Sequence, residues 1–347
     1  MHSGAGLWTC PFVLSVSYSD AWRLSIENAS ACLCRHGPFH ILSEHGARRL
    51  WMDFLDVKLS AIRERVAVDA IKLAPKTMFS GIVGWGARCH LPRPLRVPLY
   101  EAFANAVGAE LSEAEHSLSE YNSFGEFFAR GLRAGARPIA ADPSLWIAPC
   151  DSVIAEVGEL DGRSVAAKGR NFSLAALLSS ERLALMLDGG NFATFYLAPR
   201  DYHRVHAPTD CQLVGYQYIP GSLFPVSPFY LQHIENLFAI NERLVLELRS
   251  EQGSFALIMV GAAGVGNLRL SEPSLECRHL RAQGQKHSVQ LDTPIEISRG
   301  QELGAFELGS TVILCTPPGM LELTTCIGSA IRFGEEIGRG LESSGQA

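Results

Sequence analysis

The chain has 347 residues, of which 47% are hydrophobic and 19% charged, and a net charge of −6. That length supports one large domain or two smaller ones with real cores. The composition excludes a disordered or coiled-coil protein, and the acidic balance, without a basic aromatic groove, excludes a nucleic-acid partner. Nine cysteines are scattered with no CxxC pair, so neither a zinc ribbon nor a redox motif is expected. Unpaired spacing of this kind points to a reducing compartment.

Residues 1–51 form an irregular extension holding three Cys and four His. Its apolar stretch Leu7–Tyr18 lacks the basic start of a signal peptide, and translation could begin at Met1 or at Met52, which opens a patterned stretch. Residues 53–74 have helical spacing of Leu, Ile and Val, ended by Pro75. Thr77–Ala87 is apolar and flanked by Lys72, Lys76, Arg88, Arg93 and Arg96. Such a helix can lie in a membrane interface or against the protein's own core. No segment reaches the ~18 apolar residues that span a bilayer. Further helices are predicted over Pro98–Val107 and Ser123–Leu132, the second capped by Ser123 with Glu126. From Pro138 the texture changes to strand-like runs at Ser152–Val157, Phe192–Leu197, Cys211–Ile219, Arg243–Arg249, Ser254–Val260 and Val312–Thr316, with a helix at Ser173–Leu178. The expected fold is α+β: an N-terminal helical, membrane-associating region over 52–137, followed by a β-rich catalytic domain over 138–347. Val260–Gly266 matches a glycine-rich nucleotide loop only loosely and lacks its lysine.

Three places could carry chemistry. Asp201–Pro208 places His203 and His206 three apart behind the apolar run Phe192–Leu197. Two imidazoles together suggest proton handling or metal binding, and their rings diverge if the stretch is extended. Gly309-Ser310-Thr311 sits between strand-like runs, where the glycine tolerates a backbone that swings a serine oxygen onto the preceding carbonyl. Asp151 lies on a turn before a strand and could complete an acid–base–nucleophile set.

Taken in order, these motifs resemble the phosphatidylserine decarboxylases. The resemblance runs from about Lys58 to Glu336. It rests on Phe124-Gly-Glu-Phe-Phe128 with Arg130, Pro149-Cys-Asp151, Tyr202-His-Arg-Val-His206 before Pro208, and Pro220-Gly-Ser-Leu-Phe-Pro-Val226. It continues through Asn241-Glu-Arg243, Val260-Gly-Ala262 with Val265-Gly266, and Leu308-Gly-Ser-Thr311. The resemblance implies that Ser310 attacks the Gly309 carbonyl and, after elimination, becomes a pyruvoyl group, the only cofactor. The chain would then consist of a large piece, 1–309, and a small piece, 310–347, of 347 − 309 = 38 residues. The ketone would form a Schiff base with the amine of phosphatidylserine and accept electrons as CO₂ leaves. Asp151, orienting the imidazole, and His206 would assist self-cleavage, and His203 would serve decarboxylation. Phe224 and Asn267 would touch substrate; where many members carry a hydroxyl residue before the second glycine-rich turn this chain has Ala263, and then Asn267 after Gly266; Phe224 and Phe229, with Leu223 and Val226, could line a pocket or only the core. The resemblance implies a peripheral enzyme on the cytoplasmic side of a bacterial cell membrane, and it admits a homodimer. A pyruvoyl decarboxylase of a soluble amino acid, a serine hydrolase and a non-catalytic anionic-lipid-binding protein are the alternatives.

Overall fold

The apolar runs after Pro138 become neighbouring strands. The computed structural model describes residues 86–162, 164–167, 170–226, 228–262, 268–272, 284–307 and 310–341, all within the unit Arg65–Ala347. The predicted helix over 53–74 and most of Thr77–Ala87 lie outside the described residues. Two helices come first, α1 (Arg93–Val107) and α2 (Phe124–Phe128). Next are β1 (Leu145–Ile147), β2 (Ser152–Asp161), β3 (Ser164–Ala167), β4 (Arg170–Ser173), α3 (Leu174–Leu178), α4 (Glu181–Leu187), β5 (Asn191–Leu197), β6 (Arg204–His206) and β7 (Cys211–Ile219). They are followed by α5 (Pro228–His233), α6 (Leu237–Ile240), β8 (Arg243–Ser250), β9 (Gly253–Gly261), β10 (Leu268–Leu270), β11 (His287–Ile297) and β12 (Glu302–Phe306). The last strands are β13 (Ser310–Thr316), β14 (Leu321–Leu323), β15 (Ala330–Ile331) and β16 (Glu336–Gly340).

The main sheet is antiparallel, in the order β11-β7-β8-β9-β13-β5-β2-β3-β4, with β15 added on β2. Its middle strands read as continuous apolar runs because both faces are covered. Side chains alternate between faces, so Phe195, Leu257, Met259, Val312 and Leu314 enter one core. Phe192, Ile258, Val260, Ile313 and Cys315 enter the other, under α3 to α6. Each fully buried large aliphatic or aromatic side chain contributes about 1.5–3 kcal/mol, which makes β5, β9 and β13 the rigid centre. A smaller sheet, β10-β12-β6, covers the first face with Val205, Leu268, Leu303 and Phe306. A third sheet is ordered β1-β16-β14.

The helical part differs in detail from its sequence pattern. Helix α1 begins at Arg93, not Pro98: Pro94 occupies its first turn, where a missing N–H costs nothing, and Pro98 is carried inside. Helix α2 starts where Ser123 and Glu126 predict, with Ser123 Oγ accepting from Glu126 N and Glu126 Oε2 accepting from Asn122 N. It stops at Phe128 instead of Leu132. The Ala129 carbonyl is taken by Arg204 Nε at 2.9 Å, and Gly131 O accepts from Glu115 N. A third cluster, Tyr100, Tyr121 and Phe127, joins α1 to α2. The described residues are thus β-rich with few helices, compatible with α+β.

Candidate active site

Ser310 opens β13 and is paired on both sides, with Leu197 of β5 and Gly261 of β9. The chain reaches it from β12, which pairs antiparallel with β6: Glu302 faces His206 and Ala305 faces Arg204. Phe306 N then donates to His203 O at 3.0 Å. His206 therefore stands at the start of β12 and His203 at the end that leads to Ser310. Gly309 and Asn267 lie outside the described residues, and Ser310 enters through its backbone.

His203 is fully buried and stacked on Phe128 of α2, with ring centroids 4.1 Å apart. Its Nε2 donates to Ala198 O at 3.0 Å, one residue beyond the Leu197 that pairs with Ser310. Burial, with the nearby Arg130 charge, holds its pKa down to about 3, so the ring is neutral at physiological pH. Helix α2 is short, but its cap fixes where Phe128 lies under this ring.

His206 has a different setting. Nδ1 donates to Gly300 O at 2.9 Å and Nε2 accepts from the Tyr202 hydroxyl at 3.0 Å. Burial lowers its pKa to about 4 and pushes the Tyr202 phenol up, so ring and phenol keep these donor and acceptor roles at neutral pH. Phe333 stacks on the imidazole, centroids 3.7 Å apart. Gly300 aims its carbonyl at Nδ1 from a left-handed backbone (φ +81°) where a Cβ would meet Ile139 at 2.4 Å. That position requires glycine.

Asp151 is buried. Arg137 grips it through Nε to Oδ1 at 3.0 Å and Nη2 to Oδ2 at 2.6 Å, and Phe333 N donates to Oδ1 at 2.8 Å. Arg137 Nη2 also reaches Glu113 at 2.8 Å and holds that carboxylate below its usual range. The expected direct orientation of the imidazole by Asp151 is not the arrangement found, because both nitrogens of His206 have other partners. The two residues meet through Phe333, whose amide binds Asp151 and whose ring covers His206.

Phe224 is buried in the second core. Asn241 ties its loop to the Ser310 neighbourhood: Oδ1 accepts from Phe224 N at 3.1 Å, while Nδ2 donates to Phe224 O and Gly261 O, each at 2.9 Å. Arg243, also in that motif, donates to the carbonyls of Ala176 and Leu177 near the end of α3. Sequence reasoning gave no role to Arg137, Phe333 or Gly300. They lie 14, 182 and 94 residues from the groups they hold, and no local pattern marks them.

A family profile described as phosphatidylserine decarboxylase matches residues 124–339. The chain belongs to the phosphatidylserine decarboxylase family. The match runs from the first residue of α2 into β16 and includes Asp151, His203, His206, Ser310 and Phe333. Among curated relatives, the phosphatidylserine decarboxylase proenzyme of Anaeromyxobacter sp. is 43% identical over 282 residues, covering 80% of this chain and 99% of the relative. That of Myxococcus xanthus is 36% identical over 280 residues, with the same coverage of 80% and 99%. That of Glaesserella parasuis is 38% identical over 266 residues, covering 74% and 86%.

Proposed function

We propose that this chain decarboxylates phosphatidylserine to phosphatidylethanolamine and CO₂, using a pyruvoyl group made from its own Ser310. The observation that carries this reading is the position of Ser310: it opens a central strand paired on both sides, with the neutral, buried ring of His203 bonded beside it. Attack of Ser310 on the Gly309 carbonyl is intramolecular, so the fold need only hold the two close. The amide becomes an ester. Loss of the serine α-proton expels that ester, and hydrolysis of the dehydroalanine releases ammonia. Once formed, the pyruvoyl ketone would supply the electron sink for loss of CO₂.

The residues present fit such a group. A chain broken at Gly309/Ser310 would need its new end kept in place, and β13 is laddered to β5 from Ser310 to Thr316 and to β9 from Ser310 to Cys315. His203, nearest along the chain to Ser310's partner, is assigned to proton handling during decarboxylation. Asp151 and His206 are assigned to self-cleavage, acting through the shared Phe333 and the Tyr202 hydroxyl. Phe224 and Asn267 are assigned to the substrate side.

Membrane contact is part of the reading. No helix among the described residues is long and apolar enough to cross a membrane. On α1, Leu95 and Leu99 are 55% and 44% exposed, one turn apart on one face. That surface suits peripheral attachment to an anionic leaflet on the cytoplasmic side. We assign 52–137 to this role and 138–347 to catalysis, with the processed pair forming a homodimer.

Intact mass measurement of the purified chain beside Ser310→Ala tests the reading. Two fragments meeting at Gly309/Ser310, the smaller one blocked by a ketone, are expected, with Ser310→Ala as one inactive chain. A single uncut chain that reacts with a fluorophosphonate would instead identify a hydrolase. An uncut chain that only binds anionic vesicles would identify a lipid-binding protein. A cut chain that decarboxylates soluble serine as well as phosphatidylserine vesicles would move the substrate to a free amino acid.

A further inference from the structure

Beside Asp151 lies an open cavity of about 290 Å³ lined by four arginines, Arg130, Arg137, Arg200 and Arg332, together with Asp151, Asp201 and further acidic side chains. Its volume is near the lower bound of ligand pockets, roughly 300 Å³. Three of the arginines are paired. Arg137 binds Asp151 and Glu113, Arg332 lies 3.7 Å from Glu113, and Arg200 lies 3.7 Å from Asp201. Arg130 is different. It is 3% exposed, yet its Nε and Nη1 have no hydrogen-bond partner, and Nη2 makes one long bond, 3.4 Å, to Arg200 O. Among the described residues no carboxylate lies within 4.0 Å of it. Phe127 covers it from one side, 5.6 Å from guanidinium carbon to ring centre.

A guanidinium cannot lose its proton to escape such a place, and burying it unpaired costs several kcal/mol. Arg130 lines the cavity with two donors unused, and an oxyanion that reached them would supply the missing partner. The site also lies near the strand that Ser310 opens, since its lining residue Asp201 accepts from Ala198 N at 2.7 Å, one residue beyond the Leu197 that pairs with Ser310.

We propose that this cavity takes the phosphodiester of the substrate headgroup, with Arg130 as its anchoring donor. The proposal rests on the decarboxylase reading. The substrate carries two anions, and the chemistry chooses between them. The carboxylate loses its charge as CO₂ leaves, so a cation gripping it would favour the ground state and slow the reaction. The phosphodiester keeps its charge throughout, and gripping it holds substrate and transition state alike.

Binding is tested on the uncut Ser310→Ala chain, where it does not depend on processing or turnover. Glycerophosphoserine should raise the thermal midpoint of Ser310→Ala, serine should not, and the shift should vanish in Ser310→Ala with Arg130→Gln. Inorganic phosphate should give a smaller shift through the same residue; an equal shift would assign the site to free phosphate and overturn the headgroup assignment. No shift with glycerophosphoserine, or one that survives Arg130→Gln, overturns the proposal. In the otherwise native chain, Arg130→Gln should still be cut at Gly309/Ser310, and its KM for phosphatidylserine should rise about tenfold to a hundredfold, with the greater part of the loss in KM rather than kcat. An unchanged KM would sink the idea. If Arg130→Gln does not fold, Arg130→Lys replaces it, keeping the charge but not the guanidinium donors; the midpoint shift of Ser310→Ala alone can still refute the site. Failure of the decarboxylase reading shows separately, as an uncut native chain.

Discussion

The two ends of the β6–β12 ladder hold histidines of the same sequence motif in opposite ways. At the Ser310 end, His203 is sealed under one aromatic ring, with a backbone carbonyl on Nε2. At the far end, His206 belongs to a network of Tyr202, Gly300, Phe333 and, through Phe333, Asp151 and Arg137. Both rings are neutral, but one is held by a stacked ring and a backbone carbonyl and the other by a network of several segments. The contacts on His203 suit the proton-handling role proposed for it, whereas the network suits the positioning role proposed for His206.

Substitutions should separate the two ends. His203→Gln is expected to be cut normally but to decarboxylate about 10² to 10⁴ times more slowly. His206→Gln should instead accumulate the uncut chain. Intact mass and CO₂ release on the same samples read both, and the reverse pattern would exchange the two assignments. Arg137→Met leaves Asp151 and Glu113 buried without their shared cation, so a loss of about 3–5 kcal/mol is expected in urea unfolding, with slower cutting. Both rings have folded pKa values, about 3 and about 4, below their unfolded value of 6.5. Their contribution is complete above pH 6.5 and is lost as pH falls toward 4, because only the unfolded chain takes up protons there. At pH 5.5 the two together should cost about 3 kcal/mol, and His206→Gln should remove about half of that slope. Ser123→Ala has the smallest effect. Removing the cap of α2 should cost about 1 kcal/mol and, by loosening Phe128, disturb His203 without touching the His206 network.

The same contrast explains what could be read from the sequence. Phe192–Leu197, Cys211–Ile219, Arg243–Arg249 and Ser254–Val260 were legible as strands because burial on both faces demands unbroken apolar runs. The boundaries of β5, β7, β8 and β9 differ by a residue or less from those runs. The cap at Ser123 was legible because it is a local rule. The end of α2 was not, since it depends on Arg204, 75 residues away. The site divides likewise: Ser310, Asp151, His203 and His206 carry chemistry in their side-chain types, whereas Phe333 contributes an amide and a flat surface that many residues could offer. That the link from Asp151 to the His206 imidazole runs through Phe333 was not legible for that reason. The sequence showed an acid and a base but not the phenylalanine between them.

Phe333 belongs to the piece that follows Ser310, and both groups it serves, Asp151 and His206, belong to the piece before it. In the intact chain their meeting is a first-order event, helped by covalent tethering. After the proposed scission the same encounter would be second-order, with a rate that depends on protein concentration. The precursor is therefore the form that can find this structure from a denatured state at high dilution. A chain processed as proposed would hold it by the β13 ladder and would persist by slow unfolding instead of by easy refolding.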